Sequence, residues 1–338
     1  AWLKNRAITL GCSPTQYCPN QFVYRYEMAL FLYRLGFENA FLEGGNAFGT
    51  TAILGTTDNR ALEIHVNGSR ALLVAPAISG FGSVPNLVGG HPANKAAVTC
   101  IGICIPTPQP VAGAVIGGGG PTLGGLANRV TDSFGVIGGG SDNQAGNNDA
   151  DHFNAWGATV GGGVSNEASG AYSTVPGGLE NNASGDFSFA AGRRAKAFNP
   201  GCFVWADDTD VDFSCFTTNG FGARATGGVL FVTGVSASGA PTAGVGLLAG
   251  DSSWNVLSDG AAKMNWRDVD GREVLERLAT MPIGEWNYRA QSDAIRHMGP
   301  SAQDFRAAFG LGHSDLTIST VDADGVALAA IQGLNRKL

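Results

Sequence analysis

The sequence predicts a mainly β protein built as a solenoid, with a small helical module at its N-terminus and helical segments returning at its C-terminus. Three observations carry this. Glycine makes up 51 of 338 residues, roughly twice the average usage. A short unit containing Gly-Gly and, a few residues later, Asn recurs through the middle of the chain, and both ends lack it. Only 14 % of residues are charged and the mean hydropathy is +0.05, which excludes a disordered, highly charged chain.

Charge and hydropathy narrow the function classes. Lys and Arg number 21 against 28 Asp and Glu, a net charge of −7, and no basic cluster stands out, so no nucleic-acid partner is expected. No segment approaches the ~18 consecutive apolar residues of a membrane span, and AWLKNRAITLG lacks the charged head and apolar run of a signal peptide. The chain opens at Ala1 without Met and is read as a mature or truncated product. The six cysteines fall as close pairs, Cys12 with Cys18, Cys100 with Cys104 and Cys202 with Cys215. None has C-x-x-C spacing, and the five His are scattered, so no metal or cofactor is expected. Local disulfides in an oxidising, extracellular compartment fit this usage.

Residues 1–40 read as a helical module. Met28, Leu30, Phe31 and Leu35 stand near helical spacing before Gly36, a plausible stop. With GCSPTQYCPN as a loop and Phe22 to Leu35 as a helix, the segment resembles one S-layer homology module, a kind that usually occurs in sets of three. That resemblance implies contact with cell-wall polysaccharide; a plain helical cap on an open solenoid end is the alternative. Residues 41–84 form a bridge in which LEIHV and ALLVA flank Asn67-Gly68, a strong hairpin signal.

Residues 85–197 carry the repeat. It reads VGGHPANKA around Asn94, TLGGLANRV around Asn128, IGGGSDNQA around Asn143, VGGGVSNEA around Asn166 and VPGGLENNA around Asn181. The Asn residues are separated by 34, 15, 23 and 15 residues in turn. A 15-residue period is too short for a helical repeat and predicts one β coil per unit. Each Asn is expected to point inward or to brace a turn, bonding the backbone between coils. The run ATVGGGVSNEASGAYSTVPGGLENNASGDFSFAAGRRAKA resembles the head of trimeric autotransporter adhesins, which implies a trimeric β-roll. Coils this thin have little interior to exclude water, an independent reason for three chains to pack together.

Two segments interrupt the period, 97–113 and 144–158, and are expected as loops on the scaffold, the first place to seek a ligand. A glycan-cleaving reading needs a carboxylate pair in a groove. Its candidates are Asp132, Asp142, Glu167, Glu180 and Asp186. Residues 198–257 are rich in aromatic and β-branched residues and read as a β connector. Their Asp207, Asp208, Asp210 and Asp212 fail the helix-loop-helix calcium pattern, because Phe213 and Asn219 occupy the Gly and Glu positions. They are read as solvated carboxylates.

In residues 258–338 the segments SDGAAK, REVLERL, WNYR, GPSAQDF and DADGVALAAIQGL stand in order. Together they resemble the C-terminal intramolecular chaperone domain of endosialidases and other phage tailspikes, and imply a mixed α/β chaperone. In that family the domain trimerises the fibre and then removes itself with a Ser-Lys dyad. By position the nucleophile is Ser258, the base Lys263 and the cut bond Leu257–Ser258. A Ser hydroxyl becomes nucleophilic when a base takes its proton, and burial readies a Lys for that role. Gly260 stands where the family usually has Arg, a departure that weighs against cleavage. Val326, Ala329, Ala330 and Leu334 are expected to form an apolar stripe near a three-fold axis. The sequence thus points to an extracellular homotrimeric fibre, structural and adhesive, at a cell surface or in a phage-tail-like assembly. The enzymatic alternatives are a self-processing Ser-Lys peptidase and a tailspike-like glycan-acting fibre.

Overall fold

In the computed structural model the described residues are 51, 53–79, 82–97, 111–121, 125–149, 151 and 153–338. The expected S-layer-like module, Cys12, Cys18, Cys100, Cys104 and most of the 97–113 insertion lie outside them. Among the described residues the fold is mainly β, with a β-solenoid in the middle and three α-helices, all after residue 270.

Each coil contributes one very short strand to each of two parallel sheets. The first sheet runs through Asn86–Gly89, Val115–Ile116, Val136–Ile137, Thr159–Val160 and Thr174–Val175. It continues through Phe189–Arg193 and Phe203–Ala206 to Phe221–Arg224, past the boundary expected at 197. The second runs from Lys95–Ala96 through Arg129–Val130, Gln144–Ala145, Glu167–Ala168, Asn182–Ala183 and Ala195–Ala197 to Phe213–Ser214. Because side chains alternate along a strand, one residue of each pair faces in. Ile116, Ile137, Val160, Val175 and Val204 line the interior from the first sheet, and Val130, Ala145, Ala168 and Ala183 from the second, all fully buried.

The outward columns differ in kind. On the first sheet Leu87, Val115, Val136, Thr159 and Thr174 pair coil to coil and lead into Phe189, Phe203 and Phe221. On the second, Lys95, Arg129, Gln144, Glu167, Asn182 and Lys196 occupy the matching column.

The recurring Asn holds successive coils together. Asn128, Asn143, Asn166 and Asn181 each donate a backbone N–H to the side-chain oxygen of the preceding repeat Asn, at 3.0–3.1 Å. Ala195 N–H closes the series on Asn181 Oδ1 at 2.9 Å. Each Nδ2 donates in turn to glycine carbonyls in neighbouring turns; for Asn166 these are Gly162 O at 3.0 Å and Gly178 O at 2.9 Å. All five Asn side chains, Asn94 included, are buried. The residue just before the Asn turns the corner in the left-handed region, as at Asp142, Ser165 and Glu180. Gly161 is needed for clearance, since a Cβ there would lie 2.2 Å from Pro176 O of the next coil.

At its N-terminal side the first sheet is continued by a hairpin. Strands Leu62–Val66 and Ser69–Ala75 join through Asn67 and Gly68, both with positive φ, the conformation a tight hairpin turn requires. Ser69–Ala75 then pairs antiparallel with Asn86–Gly89, so the hairpin covers that edge of the sheet. After the last coil a three-stranded antiparallel sheet is formed by Gly228–Val235, Pro241–Leu248 and Asn255–Val256.

The C-terminal helices are α1 (Gly271–Thr280), α2 (Ala302–Phe309) and α3 (Thr320–Lys337). Asp270 and Ser301 cap the first two through bonds to Arg272 N and Asp304 N, and Gly310 ends α2 in the left-handed conformation. Helices α1 and α3 meet backbone to backbone: a Cβ on Gly333 would fall 2.0 Å from Gly271 O. This contact corrects the expected stripe. Val326 and Ala330 are buried within the single chain, whereas Leu328, Ile331 and Leu334 remain exposed on α3.

Replacing Asn166 by Ala leaves the buried N–H of Asn181 without its acceptor and takes a donor from the part-buried Gly162 carbonyl. At roughly 1–3 kcal/mol for a buried orphan, the shaft should lose about that much in denaturant unfolding. Glu167→Ala, on the outer face one residue away, should fall within about 0.5 kcal/mol of wild type.

Candidate functional site

Three places could carry chemistry: the segment after the three-stranded sheet, the 144–158 insertion in the solenoid, and the acidic loop near its last coil. The first contains Ser258 and Lys263. Leu257 N–H donates to Gly244 O at 3.1 Å, fixing the residue before the Ser against the sheet. A 3₁₀ turn, Gly260–Ala262, follows, capped by the Asp259 carboxylate, which accepts from Ala261 N at 3.0 Å. The turn reverses the chain so that Lys263 Nζ donates to Ser258 Oγ at 2.7 Å. Lys263 Nζ also lies 5.9 Å from the centre of the Trp266 ring, within cation–π range. Sequence reasoning passed over Trp266 and Gly244; a Trp three residues after a candidate base was the available signal. The segment from Ser258 to Asp270 is exposed, so the single chain supplies none of the burial that readies a Lys to act as a base.

Residues 258–310 match the family of the chaperone of endosialidase. The match begins at Ser258 and ends at Gly310, the cap of α2, leaving α3 beyond it. No curated protein matches the sequence. An endosialidase-type chaperone domain therefore follows a β-solenoid in one chain, a combination that fits a tail fibre and its assembly.

The segment expected as an insertion at 144–158 begins with a regular strand, Gln144–Ala145, and the described side chains after it bond one another. Asn147 Nδ2 donates to Asp149 Oδ2 and to Asn154 Oδ1, both at 2.9 Å, and Asn154 Nδ2 donates to Asp149 Oδ2 at 2.6 Å. Phe153 meets Trp156 edge to face, with ring centres 5.9 Å apart. Asp132, buried beneath, accepts from Asn147 N at 2.9 Å and so ties the loop to the coil. Burial is the main reason that its carboxyl is pushed above the ordinary range.

The other carboxylates proposed for glycan cleavage have separate local partners. Asp142 accepts from Ser165 Oγ at 2.9 Å, Glu167 from Asn182 Nδ2 at 2.9 Å and Asp186 from the backbone N–H of Ala171 at 3.0 Å. Glu180 pairs with Arg194 at 3.0 Å. The described residues contain no group of three or more His, Cys, Asp and Glu placed to hold a metal ion.

The acidic loop is tied down by arginines, where simple solvation was expected. Arg224 donates to Asp207 Oδ1 at 2.8 Å and to Thr209 O at 2.8 Å. Arg194 pairs with Asp212 at 2.8 Å and with Asp210 at 3.3 Å, Arg193 pairs with Asp210 at 2.9 Å, and Asp208 offers its carbonyl to Arg193 at 3.1 Å. Cys202 and Cys215 are joined by a disulfide, with Cα atoms 6.3 Å apart, beside this loop.

The Asp207 carboxyl is held well below the ordinary carboxylate range, first by the backbone N–H and hydroxyl of Thr226 and then by Arg224. The hydrogen bond from Arg194 lowers Asp212 in the same direction. A carboxylate depressed in the folded state stabilises the fold above its unfolded pKa near 4, and that contribution fades as pH falls below it. Asp207→Asn should therefore lower the melting temperature at pH 7, with the gap from wild type narrowing as pH is taken below about 4.

Proposed function

We propose that this chain is one third of an extracellular homotrimeric fibre, structural and adhesive, whose C-terminal domain directs assembly. The match of residues 258–310 to the endosialidase chaperone, in the same chain as the solenoid, carries this reading. Apolar surface left uncovered by the single chain supports it. In the three-stranded sheet Leu230 and Val232 on one face and Phe231 and Val256 on the other are exposed, and so are Leu328, Ile331 and Leu334 of α3. A lone three-stranded sheet with apolar side chains on both faces needs a second layer to exclude water. Neighbouring copies supply one. The disulfide between Cys202 and Cys215 suits an oxidising exterior, and among the described residues no helix is long and apolar enough to cross a membrane. Adhesion would be to surface glycan or cell-wall polysaccharide, with the folded 144–158 insertion as the contact to examine first.

A chaperone role follows from register. Parallel solenoids that slip by one coil bury nearly the same surface, so the shaft alone specifies alignment poorly. A C-terminal domain that associates first fixes it. Deleting residues 258–338 should yield insoluble or misassembled shaft, whereas Ser258→Ala should yield normal trimer by light scattering. Soluble, ordered trimer from residues 1–257 alone would contradict the role.

The 2.7 Å contact between Lys263 Nζ and Ser258 Oγ favours a second activity, self-cleavage. Ser258 Oγ attacks the carbonyl carbon of Leu257 while Lys263, in its neutral form, takes the hydroxyl proton. Lys263 then returns that proton to the departing Ser258 nitrogen, leaving an ester between Leu257 and Ser258. Water then hydrolyses the ester to a Leu257 carboxylate and the regenerated Ser258 hydroxyl, on a chain that now begins at the free Ser258 amine. Denatured mass decides this: an active dyad gives a chain lacking 258–338 that Ser258→Ala and Lys263→Ala both restore to full length. Full length in all three would show that the dyad is silent, as the Gly260 departure suggests.

A further inference from the structure

Both sheets of the solenoid bury aliphatic side chains, but their outward columns differ in chemistry. On the second sheet four of the seven outward positions are charged, Lys95, Arg129, Glu167 and Lys196. Neighbours along that column satisfy one another: Arg129 donates to Gln144 Oε1 at 2.7 Å and Asn182 Nδ2 to Glu167 Oε2 at 2.9 Å. That face is complete in water.

The first sheet is different along its whole length. From Leu87 to Phe221 its outward column holds no ionisable side chain. The parallel column beside it is Gly117, Gly138, Gly161 and Pro176, followed by Ala191 and Trp205. Towards the C-terminal end Phe189, Phe203 and Phe221 stack face to face, with centroids 4.4 and 5.1 Å apart. Phe221 is 73 % exposed and Trp205 41 %. An uncharged, flat, partly aromatic stripe repeated at every coil is costly to leave in water.

We propose that this face is where copies of the chain meet, side by side and parallel, with equal coils at equal height and the charged sheet turned to solvent. The inference rests on the homotrimer reading and adds the surface. A second copy is the occupant whose own surface repeats at the same strand spacing, so that every coil finds a partner. Eight strands at about 4.8 Å give a stripe roughly 34 Å long and, at ~10 Å wide, roughly 340 Å² per chain. A stable interface takes about 800 Å² per partner. The stripe therefore supplies part of what a stable trimer needs, the uncovered faces of the three-stranded sheet and α3 add the rest, and the trimer depends on both.

The test uses the full chain with paired outward substitutions, one on each sheet. Thr174→Lys puts a charge in the uncharged column, and Asn182→Lys adds the same charge to the polar one. Thr174→Lys should abolish trimer in light scattering and Asn182→Lys should leave it intact. As a second readout, a short bis-maleimide should join copies carrying Val136→Cys and fail to join copies carrying Gln144→Cys. A trimer that survives Thr174→Lys, or that cross-links through position 144 and not 136, overturns the assigned face while leaving the homotrimer standing. A wild-type chain that is monomeric overturns both.

Discussion

Two-residue strands cannot hold a sheet together by their own ladder, and the buried Asn series is the interaction on which the solenoid depends. Each side-chain amide accepts one backbone N–H from the next coil and donates to glycine carbonyls of its own turn and the neighbouring one. A buried polar group without a partner costs more than an ordinary bond contributes. The Asn is therefore both the reason the turns can be this tight and the reason one coil must follow another. The interior it leaves is thin, a single row of Val or Ile facing a row dominated by Ala.

That economy explains the sequence around it. With carbonyls of the next coil where Cβ atoms would lie, Gly117, Gly138 and Gly161 leave no room for a side chain. With the corner before each Asn in the left-handed region, Asp142, Ser165 and Glu180 accept backbone strain that their hydrogen bonds and ion pairs offset. The final coils change material: aromatic stacking, a disulfide and an arginine–aspartate network take over where the Asn series stops at Asn181. A solenoid end exposes unpaired strands and an open core, and this denser cross-linking secures the last coils as the repeat gives out.

The same thinness leads to assembly. A chain that buries so little within itself leaves apolar surface on its first sheet, on both faces of the three-stranded sheet and on α3. Helix α3 shows how such surface is divided. Val326, Ala330 and Gly333 are buried within the chain, two glycines allow α1 and α3 to touch, and Leu328, Ile331 and Leu334 remain exposed.

The sequence by itself determined the solenoid, its period and the Asn positions, because Gly-Gly and Asn recur at spacings that only a β coil turns into a stack. It also determined the Asn67-Gly68 hairpin, the disulfide-competent spacing of Cys202 and Cys215, and the chaperone segment, whose motifs are local and ordered. Where the coils end was hidden, since Phe203–Ala206 and Phe221–Arg224 join the sheet without the Asn signature. Which face of α3 packs inward was hidden too, because its apolar residues surround the helix and the choice rests on Gly271 in another element. The pairing of Asp207 with Arg224 and Thr226 depends on chain segments meeting across a coil. Such contacts belong to tertiary structure: a sequence pattern records what repeats along the chain, and these residues meet once, through the stacking of coils that the pattern had already made possible.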